Sequence, residues 1–332
     1  MKIIFLSFYN GLVNRGVETF VKELANRLAK KCEVIVFQAG PPNGKENYRV
    51  IQSSAENVFI FTLQIILRIT KEKPDFIYPL NGRWQAFLCR LLTLFLKTKL
   101  IIGGHAGIGR DDLFNLWLWP NIFVSLSVKG DKWARKMAPW VKTTIIPHGV
   151  DCDRFNPDIK SFKIELDRPI FLTVAGKEKF KRVELTIRAV SHLAQGSLVI
   201  LGKQPEGIIK LGQKLLGRKR FKVMECTNDK MPQVYNAADV FTLVSDNREA
   251  FAISYLEAMA CNLPIVATDD ELRREIIGAA GLYVNPININ QYAFVLKEAS
   301  VRDWSNLPRR QAENYSWDEV VEVYEDLLKK LA

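Results

Sequence analysis

Residues 244–269 read VSDNREAFAISYLEAMACNLPIVATD, and the reading of the whole chain turns on them. Val240–Val244 is an unbroken apolar run of the length of a buried strand. A polar turn, Ser245–Arg248, follows, then Glu249, a short loop, and a helix through Glu257, Ala258 and Met259. Asn262 suits the left-handed residue after a helix end, and Pro264 prevents the helix from continuing. Ile265–Thr268 then begins another strand. Glu249 is therefore expected just before the helix and Glu257 two turns into the unit. A loop between a strand end and a helix start presents free backbone N–H groups, which is where α/β proteins hold anions.

The same unit recurs on either side. Upstream, Pro169–Ala175, Ser197–Gly202 and Phe221–Met224 read as strands, Val183–Leu193 as a helix and Met231–Asp239 as a short one. Gly176-Lys177-Glu178-Lys179-Phe180-Lys181-Arg182 joins the first of these strands to the first helix. Four basic residues there work against the helix dipole, a cost that suggests an anion. Downstream, Glu271–Ile277 is a helix ended by Gly278, and Ala280–Val284 a last short strand. In the tail Val320, Val321, Tyr324, Leu327 and Leu328 fall on one helical face between Trp317 and Leu331.

The N-terminal half repeats the pattern. Lys2–Ser7 and Glu33–Phe37 read as strands around a helix whose apolar stripe is Val17, Phe20, Val21, Leu24 and Leu28. Tyr9–Gly16 is its strand-to-helix loop, and Gly16 stands where a side chain would block a phosphate. Asp75–Pro79, Lys99–Gly103, Ile122–Ser127 and Thr143–Pro147 are further strands. Gly103-Gly104-His105-Ala106-Gly107 puts a histidine in a glycine-rich loop at a strand's carboxyl end, a poor place for a packed core residue. His192, on a helix, reads as structural. Residues 156–168 are polar and flanked by proline, as in a linker.

Glu249-Ala-Phe-Ala-Ile-Ser-Tyr-Leu-Glu257, with the strand before it and Leu263-Pro-Ile-Val-Ala-Thr-Asp269 after it, resembles the Glu-x7-Glu signature of family 4 retaining glycosyltransferases of the GT-B fold. Gly149-Val150-Asp151 and Phe155-Asn156-Pro157 are similar to that family's interdomain linker, so Asp151-Cys152-Asp153 is set aside as a metal site. The resemblance implies an α/β protein of two Rossmann-like domains. Residues 1–150 would bind the acceptor, 151–168 link, and 169–314 bind the donor, with 315–332 a helix packing back on the first domain. It implies transfer of a sugar from a nucleotide-diphosphate sugar to a glycan, lipid or small molecule, with retention and with neither metal nor cofactor. Glu257 would hold the ribose hydroxyls and Glu249 the sugar. Lys177, Lys181 and the N–H groups of Phe251, Ala252, Ile253 and Ser254 would hold the diphosphate. Gly16 would admit the donor, and His105 would face the sugar. The chain departs from the pattern at Ala250 and Ala252, where the family has glycines, and at Arg15-Gly16, where it has a glycine pair.

Composition narrows the rest. A chain of 332 residues with 48% hydrophobic and 25% charged residues is globular and long enough for two domains. Five scattered cysteines without a CxxC pair suit a reducing cytoplasm. Ile3–Leu6 is too short for a signal-peptide core. The net charge of +11 suits phosphate-bearing substrates or an anionic membrane, and no nucleic-acid motif accompanies it. Val58–Lys73 and Ala86–Lys99 mix long apolar residues with Arg68, Lys71, Lys73, Arg90, Lys97 and Lys99, as a peripheral interfacial helix does, although ordinary packing helices read the same. Three other functions stay open: a silent sugar-nucleotide-binding protein, a different enzyme on the same fold such as an epimerase, and, last, a nucleic-acid binder.

Overall fold

The computed structural model describes every residue except Asn14 and Asn43. The chain forms two compact units, Met1–Gly149 with Trp317–Ala332, and Val150–Ser316.

The first unit is a seven-stranded parallel sheet. In chain order its elements are β1 (Lys2–Leu6), α1 (Gly16–Leu28), β2 (Glu33–Gln38), β3 (Arg49–Gln52), α2 (Val58–Glu72), β4 (Phe76–Pro79), α3 (Arg83–Phe95), β5 (Lys99–Gly103), α4 (Arg110–Trp117), β6 (Ile122–Ser125), α5 (Val128–Met137) and β7 (Thr143–Ile145). The strand order is β3-β2-β1-β4-β5-β6-β7. The chain winds outward from β1 to one edge, then returns to β1's other side, where Ile3 pairs with Val34 and with Phe76. Parallel strands are buried on both faces, so apolar residues alternate between two cores. Ile3 and Phe5 join Phe20 and Leu24 of α1 on one face, and Ile4 and Leu6 join Phe61, Ile65 and Ala86 of α2 and α3 on the other.

The second unit repeats the plan with β8 (Ile170–Val174), α6 (Val183–Ser191), β9 (Ser197–Leu201), α7 (Glu206–Arg220), β10 (Phe221–Met224), α8 (Met231–Tyr235), β11 (Val240–Leu243), α9 (Ile253–Ala260), β12 (Ile265–Thr268), α10 (Glu271–Ile277), β13 (Gly281–Val284), α11 (Ile289–Val301) and α12 (Leu307–Glu313). Its order is β10-β9-β8-β11-β12-β13, again all parallel. The last helix, α13 (Trp317–Leu331), belongs to the first unit. Its Trp317, Val320, Tyr324 and Leu328 join the core of β1 and α1, and the hydroxyls of Tyr324 and Tyr78 lie 3.4 Å apart.

Several boundaries differ from the sequence reading. Strands β1, β6 and β11 stop one or two residues short of the stretches read from the sequence. The edge strand β3 and the helices α4, α5, α7, α11 and α12 have no counterpart in the sequence reading; β3 is partly exposed and short, and so carries little pattern. Residues 151–168 are packed on the second unit. Phe155 is buried, Asn236 donates to the carbonyls of Asn156 and Ile159, and Phe162 N–H bonds Gln233 O. Asn262 is left-handed (φ 61°) just after α9, as its type and position require.

Candidate functional site

In an open parallel sheet, ligands bind beyond the carboxyl ends of the strands where the winding reverses. In the second unit the reversal lies between β8 and β11, whose carboxyl ends carry residues 176–182 and 244–252.

Two arginines hold the loop after β11. Arg182, itself left-handed (φ 51°), donates from Nε to Val244 O (2.6 Å) and from one NH2 to Ser245 O (2.8 Å) and Thr268 Oγ1 (2.9 Å). Arg273 on α10 is fully buried. It donates to Ser245 O (3.2 Å), Asp246 O (2.9 Å) and Asp270 Oδ2 (2.7 Å). Buried carbonyls need donors, and a charged fork supplies several at once. One of the four basic residues of the 176–182 loop is thus turned inward. Nothing local in the sequence marks this role, since Arg182 lies in a run of charges and Arg273 on a short helix.

On that braced loop Glu249 accepts at Oε2 from Lys181 Nζ (2.5 Å) and from Ser245 Oγ (2.9 Å). Both partners use one oxygen, and Oε1 accepts no hydrogen bond among the described residues. Lys181 ends a single 3-10 turn, Lys179–Lys181, and lies beside the Phe180 ring. Lys177 is exposed and makes no hydrogen bond or ion pair among the described residues, so the structure brings Lys181 and Glu249 together and leaves Lys177 apart.

The helix α9 starts at Ile253, which places Glu257 one turn in and not two. Its N-cap, Ala252, is left-handed (φ 64°), a conformation strained for any residue with a Cβ. The N–H groups of Ile253 and Ser254 stand in the first turn, where helix geometry offers no partner. Tyr255 ties the helix to β11 by donating to Leu243 O (2.6 Å), and Phe251 is buried. Glu257 Oε2 accepts from the hydroxyl of buried Tyr235 on α8 (2.7 Å). Burial raises the Glu257 carboxyl above its usual range; the Tyr235 hydrogen bond and the charge of Arg154 work against that rise.

In the first unit, Gly16 opens α1, and Arg15 before it stacks on Tyr9 and pairs with buried Glu18. Asn14, in the same loop, lies outside the described residues. His105 is half-buried, and its ring lies against Phe20, Tyr78 and His148, with centroids at 4.6, 6.1 and 5.2 Å. A Cβ on Gly103 would meet the Tyr78 hydroxyl and His105 Nε2, so the glycine is there to let these rings close. His105 Nδ1 is buried without a hydrogen-bond partner, and burial lowers the imidazole's pKa to about 4. Asp112, buried and accepting N–H bonds from Ala106 and Gly107, braces this loop. Burial pushes its carboxyl up to about 7. Its role was not visible in the sequence. His192 caps α6 and bonds Asn290 (2.9 Å). Asp151 Oδ1 accepts from the N–H groups of Asp153 and Arg154, closing a turn.

Two Rossmann-like units of this topology define the GT-B glycosyltransferase fold. Residues 14–154 match the profile described as "Glycosyltransferase Family 4" and residues 155–315 that of "Glycosyl transferases group 1". The chain belongs to the family 4 glycosyltransferases. Among its relatives is a probable sucrose-phosphate synthase of Thermosipho melanesiensis, 27% identical over 57% of this chain and 48% of that one. Another is the D-inositol 3-phosphate glycosyltransferase of Mycolicibacterium smegmatis, 26% identical over 54% and 45%. The matches span about half the length of these relatives. Among solved structures, the sucrose-phosphate synthase of Thermosynechococcus elongatus superposes with a TM-score of 0.85 at 19% identity, covering 99% of this chain and 98% of that one. HepE of Anabaena, in complex with UDP, does so with 0.78 at 16%, covering 99% and 100%.

Proposed function

We propose that this protein is a glycosyltransferase that moves a sugar from a nucleotide-diphosphate sugar to an acceptor in the cytoplasm, with retention of configuration and without a metal. The observation that carries the reading is the Lys181–Glu249–Ser245 group, held at the β8/β11 reversal beside the start of α9. Glu257 receives both ribose hydroxyls, which a carboxylate with two oxygens does well. Lys181, Lys177 and the N–H groups of Ile253 and Ser254 receive the diphosphate. As the glycosidic bond breaks, negative charge grows on that diphosphate, and preorganised cations and a helix terminus stabilise it more in the transition state than in the ground state. Glu249 holds the sugar's hydroxyls once the donor draws Lys181 toward its phosphates. HepE is a protein crystallised with UDP, UDP with glucose, and UDP-glucose, which favours a uridine donor among those to try first. The acceptor is a glycan or a lipid-linked molecule.

A second reading, a silent sugar-nucleotide-binding protein, is favoured by Ala250, by the left-handed Ala252, and by the closed Lys181–Glu249 pair. A thermal-shift screen of nucleotide-diphosphate sugars, followed by donor hydrolysis and transfer with and without EDTA, separates the two readings. In that assay Glu257→Gln should chiefly raise donor KM, because the ribose is unchanged in the transition state. Lys181→Ala should lower kcat and kcat/KM, by about 2–4 kcal/mol in activation free energy. Donor binding with no turnover under any acceptor leaves the silent reading standing. Activity abolished by EDTA and restored by magnesium or manganese overturns metal independence.

A further inference from the structure

We propose that the outer surface of α2, α3 and α4 docks on an anionic lipid bilayer, lying along it with Arg68 at the headgroup phosphates. The proposal rests on the first unit alone and needs none of the donor chemistry above.

The sheet of the first unit has two covers of different character. On one, α1 and α13 turn apolar residues inward, and Val323 is the large apolar residue they leave exposed. On the other, α2 and α3 bury Phe61, Ile65, Ile69, Ala86 and Cys89 against the sheet and carry a second apolar stripe outward. Leu63 and Leu67 lie on one outer face of α2, and Trp84, Leu91 and Phe95 on one outer face of α3. Leu67 is 70% exposed, Trp84 63%, Phe95 86%, and Trp117 at the end of α4 62%. Neighbouring helices with a shared exposed apolar surface mark an interaction site.

Charge identifies the occupant. Residues 58–142 hold thirteen lysines and arginines against five aspartates and glutamates, a net of +8 within the chain's +11. Of the five acids, Asp112 and Asp131 are buried, Glu72 is bridged to Lys2 and Arg49, and Asp111 to Arg83. Arg68, Lys71, Lys73 and Lys97 are exposed and make no ion pair among the described residues. Beside the α2 stripe a surface recess of about 320 Å³ is lined by Gln52, Ser53, Ser54, Gln64, Ile65 and Arg68. Ser53 Oγ donates to Gln64 Oε1 (2.8 Å), so the amide keeps its N–H donors for a guest beside the Arg68 guanidinium. Apolar residues at the acyl boundary, tryptophans at headgroup depth and cations at the phosphates are what a helix lying on a membrane needs. A second copy of this surface would bring the same cations face to face. Among the described residues no helix is long and apolar enough to cross a membrane, so the contact is along the surface.

The test is sedimentation of the full chain with phosphatidylcholine vesicles, with or without phosphatidylglycerol, over a salt series. Wild type should pellet with the anionic vesicles, remain in solution with the neutral ones, and be released by salt. Leu67→Gln with Phe95→Gln should keep the melting temperature, since both side chains are exposed, and lose partitioning at least about tenfold. Arg68→Gln should lose about fivefold. If the double variant unfolds, Leu67→Gln alone takes its place. Equal recovery with both vesicle types, recovery with neither, or undiminished binding by the folded apolar variant overturns the proposal. So does light scattering that finds a wild-type dimer which the apolar variant dissociates, which would assign the surface to a second copy.

Discussion

The two sheets wind in the same way, but the loops beyond them are held by different chemistry. In the second unit the loop after β11 is braced by charge: Arg182 and Arg273 together bond three successive carbonyls, Val244, Ser245 and Asp246. In the first unit the loop after β5 is braced by packing, with His105 among Phe20, Tyr78 and His148 and a buried carboxyl, Asp112, beneath it. A site for a doubly charged phosphate chain needs donors that do not move as charge develops, and ionic bracing supplies that rigidity. The contrast teaches that loops at the strand ends of one topology can be held rigid by ion pairing or by packing.

The largest expected effect would come from breaking the ionic brace. Arg273→Met takes the side-chain donor from Asp246 O and the ion pair from Asp270 Oδ2, while Ser245 O keeps Arg182 and Thr268, and should destabilise the second unit by about 3 kcal/mol. Urea unfolding at pH 7 measures it, and kcat/KM of the folded fraction should fall as Glu249 loses its setting. A change below about 1 kcal/mol would mean that the carbonyls find other donors, and the contrast with the first unit would lapse.

The packed brace should betray itself through pH. The His105 pKa is about 4 in the fold, below its ordinary 6.5, so the neutral ring is the one that the fold prefers. Its contribution is complete above pH 6.5 and is lost as pH falls through that value toward 4, by an amount on the order of 1–3 kcal/mol. Asp112, pushed up to about 7, acts oppositely, as does Glu257: their carboxyls are favoured protonated, and stability from them is lost as pH rises. The difference between wild type and His105→Phe isolates the imidazole. His105→Phe should lose less stability between pH 7 and pH 4.5. Parallel curves would show that the ring opens to water before it titrates.

A smaller effect sharpens the comparison at Ala252. Its left-handed backbone costs about 1–2 kcal/mol, which Ala252→Gly relieves while adding backbone entropy to the unfolded chain. Melting temperature should therefore hold or rise slightly, whereas Ala258→Gly, inside α9, should lower it. Donor affinity should improve in Ala252→Gly if the methyl narrows the sugar's place. A fall in melting temperature like that of Ala258→Gly would show that the strain is not there.

Much of the fold was legible in order along the chain. Apolar runs such as Lys99–Gly103 and Val240–Val244 read as buried strands, and residues like Asn262 and Pro264 marked where a helix must end. Glu249 and Glu257 were legible because loop and helix start are local features. The edge strand β3 was not, since a short, half-exposed strand has almost no pattern of its own and is specified by pairing with β2.

By itself, then, the sequence determined most of the strands and many of the helices, that they alternate, and which loops follow strand ends, because period, capping and turn chemistry act over a few residues. Only the tertiary structure decided which charges serve the loop and which face outward. Lys181 meets Glu249 across 68 residues, Arg273 reaches back to Ser245, and His105 closes on Phe20 and His148. It also decided that α2 and α3 keep a second apolar stripe in water. Whether a side chain is paired, buried or exposed depends on which distant elements arrive beside it, and one-dimensional spacing carries no record of those arrivals.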